Sequence, residues 1–412
     1  MRSAARFLLL LIVAFTGSAV LPATPEFESS LQTRLGVDSN PTGTSNSVVA
    51  IPDAENTFTS AAGANVAIMM PGATPAESSL KISYSAEVVR FERYSGEDFC
   101  SHRLGFSGRH RTGPWKISGE ASSLFIAGSR DTLISSSAMN ANAVSLWRER
   151  RRQWQHRLKL LAQRNVGAGV VRASGTWLNY DYQTRVVAGK FAFANRSDAQ
   201  AGLDLGWNQS AHSLWLIGVH AGRQNQSVIP LPNCAFDYSN DSGRLVAGWE
   251  GKPWANTTVT FAGGPDFRHY TGVVDSRVFP GGRTRRSLRF EGNFTTKLSA
   301  TLILTGKATQ FDWLSSTGKS AYVDSSAEIA ATWKLSSEWT GRFTAKVYRC
   351  RYFPATRDDL ESLLGIGTTR KLSQQAQFGF DLLQHRGGNQ LTQSTGREFR
   401  RLVISASVSI KL

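Results

Sequence analysis

Leu402-Val403-Ile404-Ser405-Ala406-Ser407-Val408-Ser409-Ile410-Lys411-Leu412 is the stretch that decides the fold. Leu402, Ile404, Ala406, Val408, Ile410 and Leu412 share one face of an extended chain, and Val403, Ser405, Ser407, Ser409 and Lys411 share the other. Side chains of a strand alternate with period two, so this is a strand with one apolar and one mostly polar face. The pattern recurs upstream. Trp154, His156, Leu158 and Leu160 oppose Gln153, Gln155, Arg157 and Lys159, and Leu203, Leu205 and Trp207 oppose Gln200, Asp204 and Asn208. Leu288, Phe290 and Phe294 oppose Arg289, Glu291 and Asn293, while Val323, Ala327, Ile329 and Trp333 oppose Asp324, Ser326, Glu328 and Thr332. Trp339, Phe343, Ala345 and Val347 oppose Arg342, Thr344 and Lys346, and Phe378, Phe380 and Leu382 oppose Gln377 and Asp381.

A repeat punctuates these strands. Lys297-Leu298-Ser299, Lys334-Leu335-Ser336 and Lys371-Leu372-Ser373 are the same tripeptide at intervals of 37 residues, each between two alternating stretches. One period is therefore a hairpin with a tight turn, followed by a longer connection. Further short turns fall at 71–78, 110–114, 165–169, 208–213 and 251–256. Between them lie longer polar connections at 40–57, 94–98, 130–150, 184–197, 223–240, 269–282, 315–319, 352–357 and 385–396. Short turns on one side and longer loops on the other are the asymmetry of outer-membrane barrels. The expected fold is all-β, an antiparallel up-and-down transmembrane β-barrel of about eighteen strands, with 31–38 the first and 399–412 the last. Sixteen is the count if the first pair is not a hairpin; both totals are even, as in bacterial barrels.

Composition agrees. The 412 residues are 41% hydrophobic and 19% charged, with mean hydropathy −0.24. One apolar run near the N-terminus excludes a polytopic helical membrane protein, which needs repeated spans of roughly 20 apolar residues. Barrel strands alternate, so their average hydropathy looks soluble. That N-terminal run reads as a secretory signal over 1–19, with Arg2 and Arg6 before an apolar core and Gly17-Ser18-Ala19 as the cleavage site. Residues 20–30 then form a short segment ahead of a barrel over 31–412. Without the signal, 45 bases face 31 acids, so the exported chain keeps +14 of its +16. Cys100, Cys234 and Cys350 are too few and too scattered for a disulfide framework or a zinc site, and at most two of them can pair.

Trp207, Trp249 and Trp333 fall just before short turns and Trp115 and Trp339 just after, all with apolar-face parity. Indole rings prefer the headgroup level, so these five are the expected aromatic girdle. The competing reading, tryptophans capping a β-sandwich core, requires less regular loops and shorter strands. If the apolar face meets lipid, the polar face lines the lumen with Lys116, Arg157, Lys159, Arg285, Arg289, Lys307, Arg342, Lys346 and Arg401, against Glu120, Asp204, Asp266, Glu291, Asp324, Glu328 and Asp381. Sixteen to eighteen strands enclose an aqueous channel, and an excess of base there favours anions. The alternative is that these charges pair across strands and fill the lumen. Arg148, Arg150, Arg151 and Arg152, with Trp147 and Trp154 beside them, sit where a long loop enters a strand. There they read either as anion contacts to lipopolysaccharide or lipid headgroups at the outer rim, or as a solvated loop face. The export signal argues against nucleic acid as their partner.

No enzyme is expected. The seven histidines are dispersed with no metal motif, no Gly-x-Ser-x-Gly elbow occurs, and Gly365-Ile366-Gly367 lacks the third glycine of a dinucleotide fingerprint. Neither cofactor nor metal is expected.

Gly36-Val37-Asp38-Ser39-Asn40, Trp249-Glu250-Gly251-Lys252-Pro253, Gly263-Gly264-Pro265-Asp266-Phe267-Arg268, Trp313-Leu314-Ser315-Ser316-Thr317-Gly318 and the closing strand together give the chain a likeness. It resembles the poorly characterised porin-like β-barrel proteins of the bacterial outer membrane. The resemblance implies a bacterial outer-membrane location, the barrel-assembly machinery and membrane lipid as partners, and a pore for small solutes or anions. The chain departs from many barrels in closing on Leu412 rather than an aromatic. Two readings of function stand beside each other: a passive channel with anion preference, and a non-conducting barrel that contacts envelope polysaccharide or other partners through its long loops.

Overall fold

The computed structural model describes residues 24–39, 56–71, 78–93, 98–128, 152–183, 186–187, 191–192, 195–210, 212–227, 237–272, 282–314, 321–353, 358–390 and 399–412, and these contain no helix. The first strands are β1 (Glu26–Asp38), β2 (Thr57–Pro71), β3 (Ser79–Phe91), β4 (Phe99–Thr112), β5 (Trp115–Gly128), β6 (Gln153–Val166) and β7 (Gly169–Tyr182). A two-residue hairpin, β8 (Val186–Val187) and β9 (Phe191–Ala192), stands apart from the wall. The wall continues with β10 (Arg196–Ser210), β11 (Ser213–Gln226), β12 (Asn240–Trp254), β13 (Thr257–Tyr270), β14 (Thr284–Lys297) and β15 (Leu302–Leu314). It ends with β16 (Ala321–Lys334), β17 (Trp339–Phe353), β18 (Asp358–Lys371), β19 (Ala376–Asn389) and β20 (Phe399–Lys411).

Eighteen of these strands pair antiparallel with their sequence neighbours, β7 with β10, and β20 with β1, so the sheet closes. Closure leaves no unpaired strand edge. β1 pairs with β2 from Glu26↔Met69 to Asp38↔Thr57, which excludes the count of sixteen. The first strand also starts earlier than its sequence suggests. Residues 26–30, read as a separate segment, belong to β1, where Glu26, Glu28 and Ser30 take the inward parity and Ser29 interrupts the apolar outward row. β11 and β19 likewise run past their alternating stretches, to Gln226 and Asn389. Hydrophobic periodicity thus ends before pairing does.

The start of β1, the end of β20 and the short turns share one rim, where the Leu412 amide donates to the Ser29 carbonyl at 3.0 Å. The three repeated tripeptides build one turn three times. Lys297, Lys334 and Lys371 end β14, β16 and β18. The leucine amides then donate across the turn, Leu298 to Leu302 O at 3.0 Å, Leu335 to Trp339 O at 2.9 Å and Leu372 to Ala376 O at 2.9 Å. Each serine hydroxyl accepts two amides further on: Ser299 from Thr301 and Leu302, Ser336 from Glu338 and Trp339, Ser373 from Gln375 and Ala376, all within 3.2 Å. The serine thus satisfies donors that a four-residue turn leaves without a ladder partner. In the tighter turns after β4 and β6, Gly113 (φ 55°) and Gly167 (φ 58°) supply the left-handed conformation that a Cβ disfavours.

Candidate functional site: the lumen and its rims

Register fixes which way every wall residue points. Leu203, Leu205 and Trp207 on β10 pair with Val219, Ile217 and Trp215 on β11, all exposed outward, so Asp204 and His220 face inward. Carried around the wall, this parity places all nine sequence-derived bases, Lys116, Arg157, Lys159, Arg285, Arg289, Lys307, Arg342, Lys346 and Arg401, at inward positions. The seven acids expected to face them share that parity.

The bases do not form one population. Lys116, Arg157, Lys159 and Lys307 are exposed and, among the described residues, none has a carboxylate within salt-bridge distance. Glu120, directly opposite Lys159 in register, is also exposed, as is Glu291. The others are paired or shared. Arg342 meets Asp381 at 3.2 Å, Lys346 meets Glu328 at 3.6 Å, and Arg285 meets Asp312 at 3.3 Å. Arg289 lies 3.5 Å from the Gln200 amide oxygen, which Arg244 also uses at 2.6 Å. Arg401 chelates Asp38 through Nε at 2.9 and 3.1 Å and through Nη2, holding β20 to β1 where the barrel closes.

The loop-side half of the interior is packed. Arg268 and Asp266, 1% and 0% exposed, join at 3.0 Å beside Arg244, Gln224 and Asn240. The end of β15 reaches into this cluster. β14 pairs with β15 only from Phe290↔Gln310 to Lys297↔Ile303, although both strands continue toward the loops. Beyond Gln310, β15 parts from β14 but stays paired with β16 to Leu314↔Ala321, and this edge turns in as a chord against side chains of β7, β10 and β13. Arg196 of β10 donates to the Leu314 carbonyl, Arg268 reaches Asp312 at 3.7 Å, and Tyr180 of β7 packs edge-on to Trp313 with ring centroids 6.2 Å apart. Tyr180, Tyr182, Trp313, Tyr322, Tyr348 and Cys350 form a buried cluster that joins β7 to β15, β16 and β17. Strict alternation would turn Asp312 outward with Gln310; parting from β14 is what buries it instead.

On the outer wall, Trp115, Trp207, Trp249, Trp333 and Trp339 all take outward parity beside the short turns. Trp207 stacks on Trp215 at 6.5 Å, Trp249 on Phe261 at 6.1 Å, and Arg164 and Arg370 lie over Trp115 and Trp339 at 5.5 and 5.4 Å. A second row escaped the sequence reading. Tyr84, His102, Phe125, Trp154, His156 and Trp177 stack one to the next across β3 to β7, at centroid distances between 4.6 and 6.3 Å. Cross-strand pairing assembles it, and no one strand carries more than two members. Arg148, Arg150, Arg151 and the proposed signal lie outside the described residues, as does Cys234. Arg152 points outward over Phe125 at 5.9 Å, and Cys100 and Cys350 are free thiols.

No family model and no curated relative matches the chain. Solved structures with a similar course of strands include OccK2 of Pseudomonas aeruginosa in complex with glucuronate, at 10% identity and TM-score 0.43, covering 94% of this chain and 98% of that one. Outer membrane protein OpdK of Pseudomonas aeruginosa gives 10% identity and TM-score 0.43, covering 94% and 99%. The siderophore receptor PirA of Acinetobacter baumannii gives 7% and 0.43, covering 95% and 81%. The protein is a closed, eighteen-stranded, all-antiparallel β-barrel.

Proposed function

We propose that this barrel resides in the bacterial outer membrane and acts as a passive, porin-like diffusion channel that prefers small anions. Its outward face is a continuous apolar surface with aromatics at the short-turn rim, as a barrel wall against lipid requires. The observation that carries the anion preference is the turn-side interior, where Lys116, Lys159, Lys297, Lys307, Lys334, Lys371 and Lys411 are exposed at inward positions against exposed Glu26, Glu28, Glu120 and Glu291. Fixed positive charge beside an aqueous path raises the local concentration of anions, within about a Debye length of roughly 10 Å at 0.1 M salt. Lipid, lipopolysaccharide and the barrel-assembly machinery are the partners this reading entails, with no catalytic step and no cofactor.

Reversal potentials of the purified protein in planar bilayers under a salt gradient test it. Wild type is expected to pass anions more readily than cations, and Lys116→Glu/Arg157→Glu/Lys159→Glu/Lys307→Glu to reverse the preference. Cation selectivity in wild type would sink the proposal.

One observation favours the second reading, a non-conducting barrel acting through its loops on envelope polysaccharide. The loop-side half is packed across β7, β10 and β15. A silent wild type and a conducting Asp312→Ala variant would establish that reading instead.

A further inference from the structure

We infer that the loop-side rim of the outer wall is a binding belt for a phosphorylated, acylated glycolipid, with a seated site at Arg90; this rests on the membrane location proposed above. The belt emerges once parity is carried around the barrel. Arg90 on β3, Arg223 on β11, Arg286 on β14, Arg349 on β17 and Arg400 on β20 all point outward, and so does Arg152 immediately before β6. Arg386 of β19, exposed and directly opposite Arg400, points outward as well, so the belt draws on seven of the eighteen wall strands. Every one lies within four residues of the loop-side end of its strand. The short-turn rim differs: its outward arginines are Arg164 and Arg370, each laid over a tryptophan.

The belt carries more base than acid. Arg223 meets Asp241 at 3.7 Å, and Arg349 and Arg351 share Asp358 at 2.7 and 3.7 Å. Asp181 is engaged by the Asn195 and Gln183 amides. Arg90, Arg152 and Arg286 have no carboxylate partner among the described residues, and Arg152 and Arg286 rest over Phe125 and Phe267. A guanidinium gives phosphate two parallel donors, and its stem lies along apolar surface while the head stays at the headgroup level.

A second observation points to an acyl chain. Beside Arg90 the wall holds a furrow of about 680 Å³ between Leu35, Phe58, Phe380 and Ile404, floored by Ser60 and Ala406. Leu35 and Phe58 are 68% and 66% exposed, so the furrow faces the membrane and not the lumen. At its mouth Asp98 is occupied by the Phe91 amide at 2.8 Å; Glu92 stands beside Arg90 as the remaining acid. An apolar furrow under a free guanidinium at the outer-leaflet level suits a lipid with phosphate above and acyl chain below. A soluble phosphate would leave the furrow empty.

Native mass spectrometry of the full-length barrel, after equilibration with vesicles containing a bis-phosphorylated, multiply acylated glucosamine disaccharide, tests the assignment. Wild type is expected to retain this lipid about tenfold over its dephosphorylated form. Arg90→Ala/Arg152→Ala/Arg286→Ala should lose that margin, and Arg164→Ala/Arg370→Ala should keep it. Ala406→Trp, which fills the furrow and leaves the charges in place, should lower retention of the acylated lipid but not binding of the deacylated phosphodisaccharide. Equal retention of the dephosphorylated lipid, or wild-type retention by the triple variant, overturns the belt. Heat-modifiable mobility and membrane fractionation separate the two readings: a wild type absent from the outer membrane overturns both, whereas lost lipid selectivity in a correctly inserted, conducting barrel overturns this one alone.

Discussion

The two halves of the interior carry the same kinds of side chain and put them to opposite use. Toward the short turns, Lys116, Lys159 and Lys307 stand in solvent with no carboxylate within reach, and the Lys81–Glu28 pair is 41% and 49% exposed. Toward the loops, Arg401–Asp38, Arg244–Asp266 and Arg268–Asp266 are nearly or wholly buried. Charges in water are screened, contribute little to stability and remain available to mobile ions. Buried charges must be neutralised where they sit, so they fix geometry and attract nothing further. Selectivity is therefore expected from the turn-side half and rigidity from the loop-side half, although the loop-side half holds the denser arginine cluster.

The largest effect expected from that contrast is at the closing seam. Arg401→Leu takes the guanidinium away from the buried Asp38 carboxylate, a loss of about 3–5 kcal/mol for a buried pair broken on one side. It should lower the temperature at which heat-modifiable gel mobility changes, and Asp38→Asn/Arg401→Leu should recover much of the loss. If the single variant unfolds at the wild-type temperature, the loop-side half is not the rigid one. Next comes the chord. Asp312→Ala removes the acceptor that holds the end of β15 to Arg268 and Arg285, at a cost of about 1–3 kcal/mol. Single-channel conductance should rise with it, because the ion pairs that draw this edge of β15 toward β13 and β14 are lost while its ladder to β16 remains. An unchanged conductance would place the constriction elsewhere.

How legible this was depends on which rule governs each residue. The wall obeys period two, so the C-terminal strand, the tripeptide turns and the inward parity of the bases could be read without coordinates. The serine's role in those turns follows from its chemistry, and Ser299→Ala, Ser336→Ala or Ser373→Ala should each cost about 1 kcal/mol. These turns are distant enough for the losses to add, which denaturant titration of the single and triple variants would check. The chord was not legible, because Phe311-Asp312-Trp313-Leu314 alternates like its neighbours and only the ladder it abandons marks the departure. Interior pairing was also hidden. Arg172 binds Glu250 at 2.6 Å across 78 residues, and that contact depends on barrel curvature rather than on local pattern.

The smallest predicted effect is the most direct test of the contrast. Lys81 and Glu28 approach to 3.5 Å on the inward, turn-side surface, with both side chains well exposed. Holding two long side chains in one geometry costs entropy that a screened attraction barely offsets, so Lys81→Ala should change stability by less than about 1 kcal/mol. Whatever loss remains should shrink as salt is raised, since the Debye length falls to about 3 Å at 1 M. The Arg401→Leu loss should persist at the same salt, because counter-ions do not reach the interior of the seam. Measuring both variants at low and high ionic strength separates a screened charge from a buried one within a single barrel. A salt-insensitive loss at Lys81 comparable to that at Arg401 would mean that the turn-side interior is as dry as the loop-side one, and a dry interior there would leave mobile anions no water to occupy beside Lys159 and Lys307.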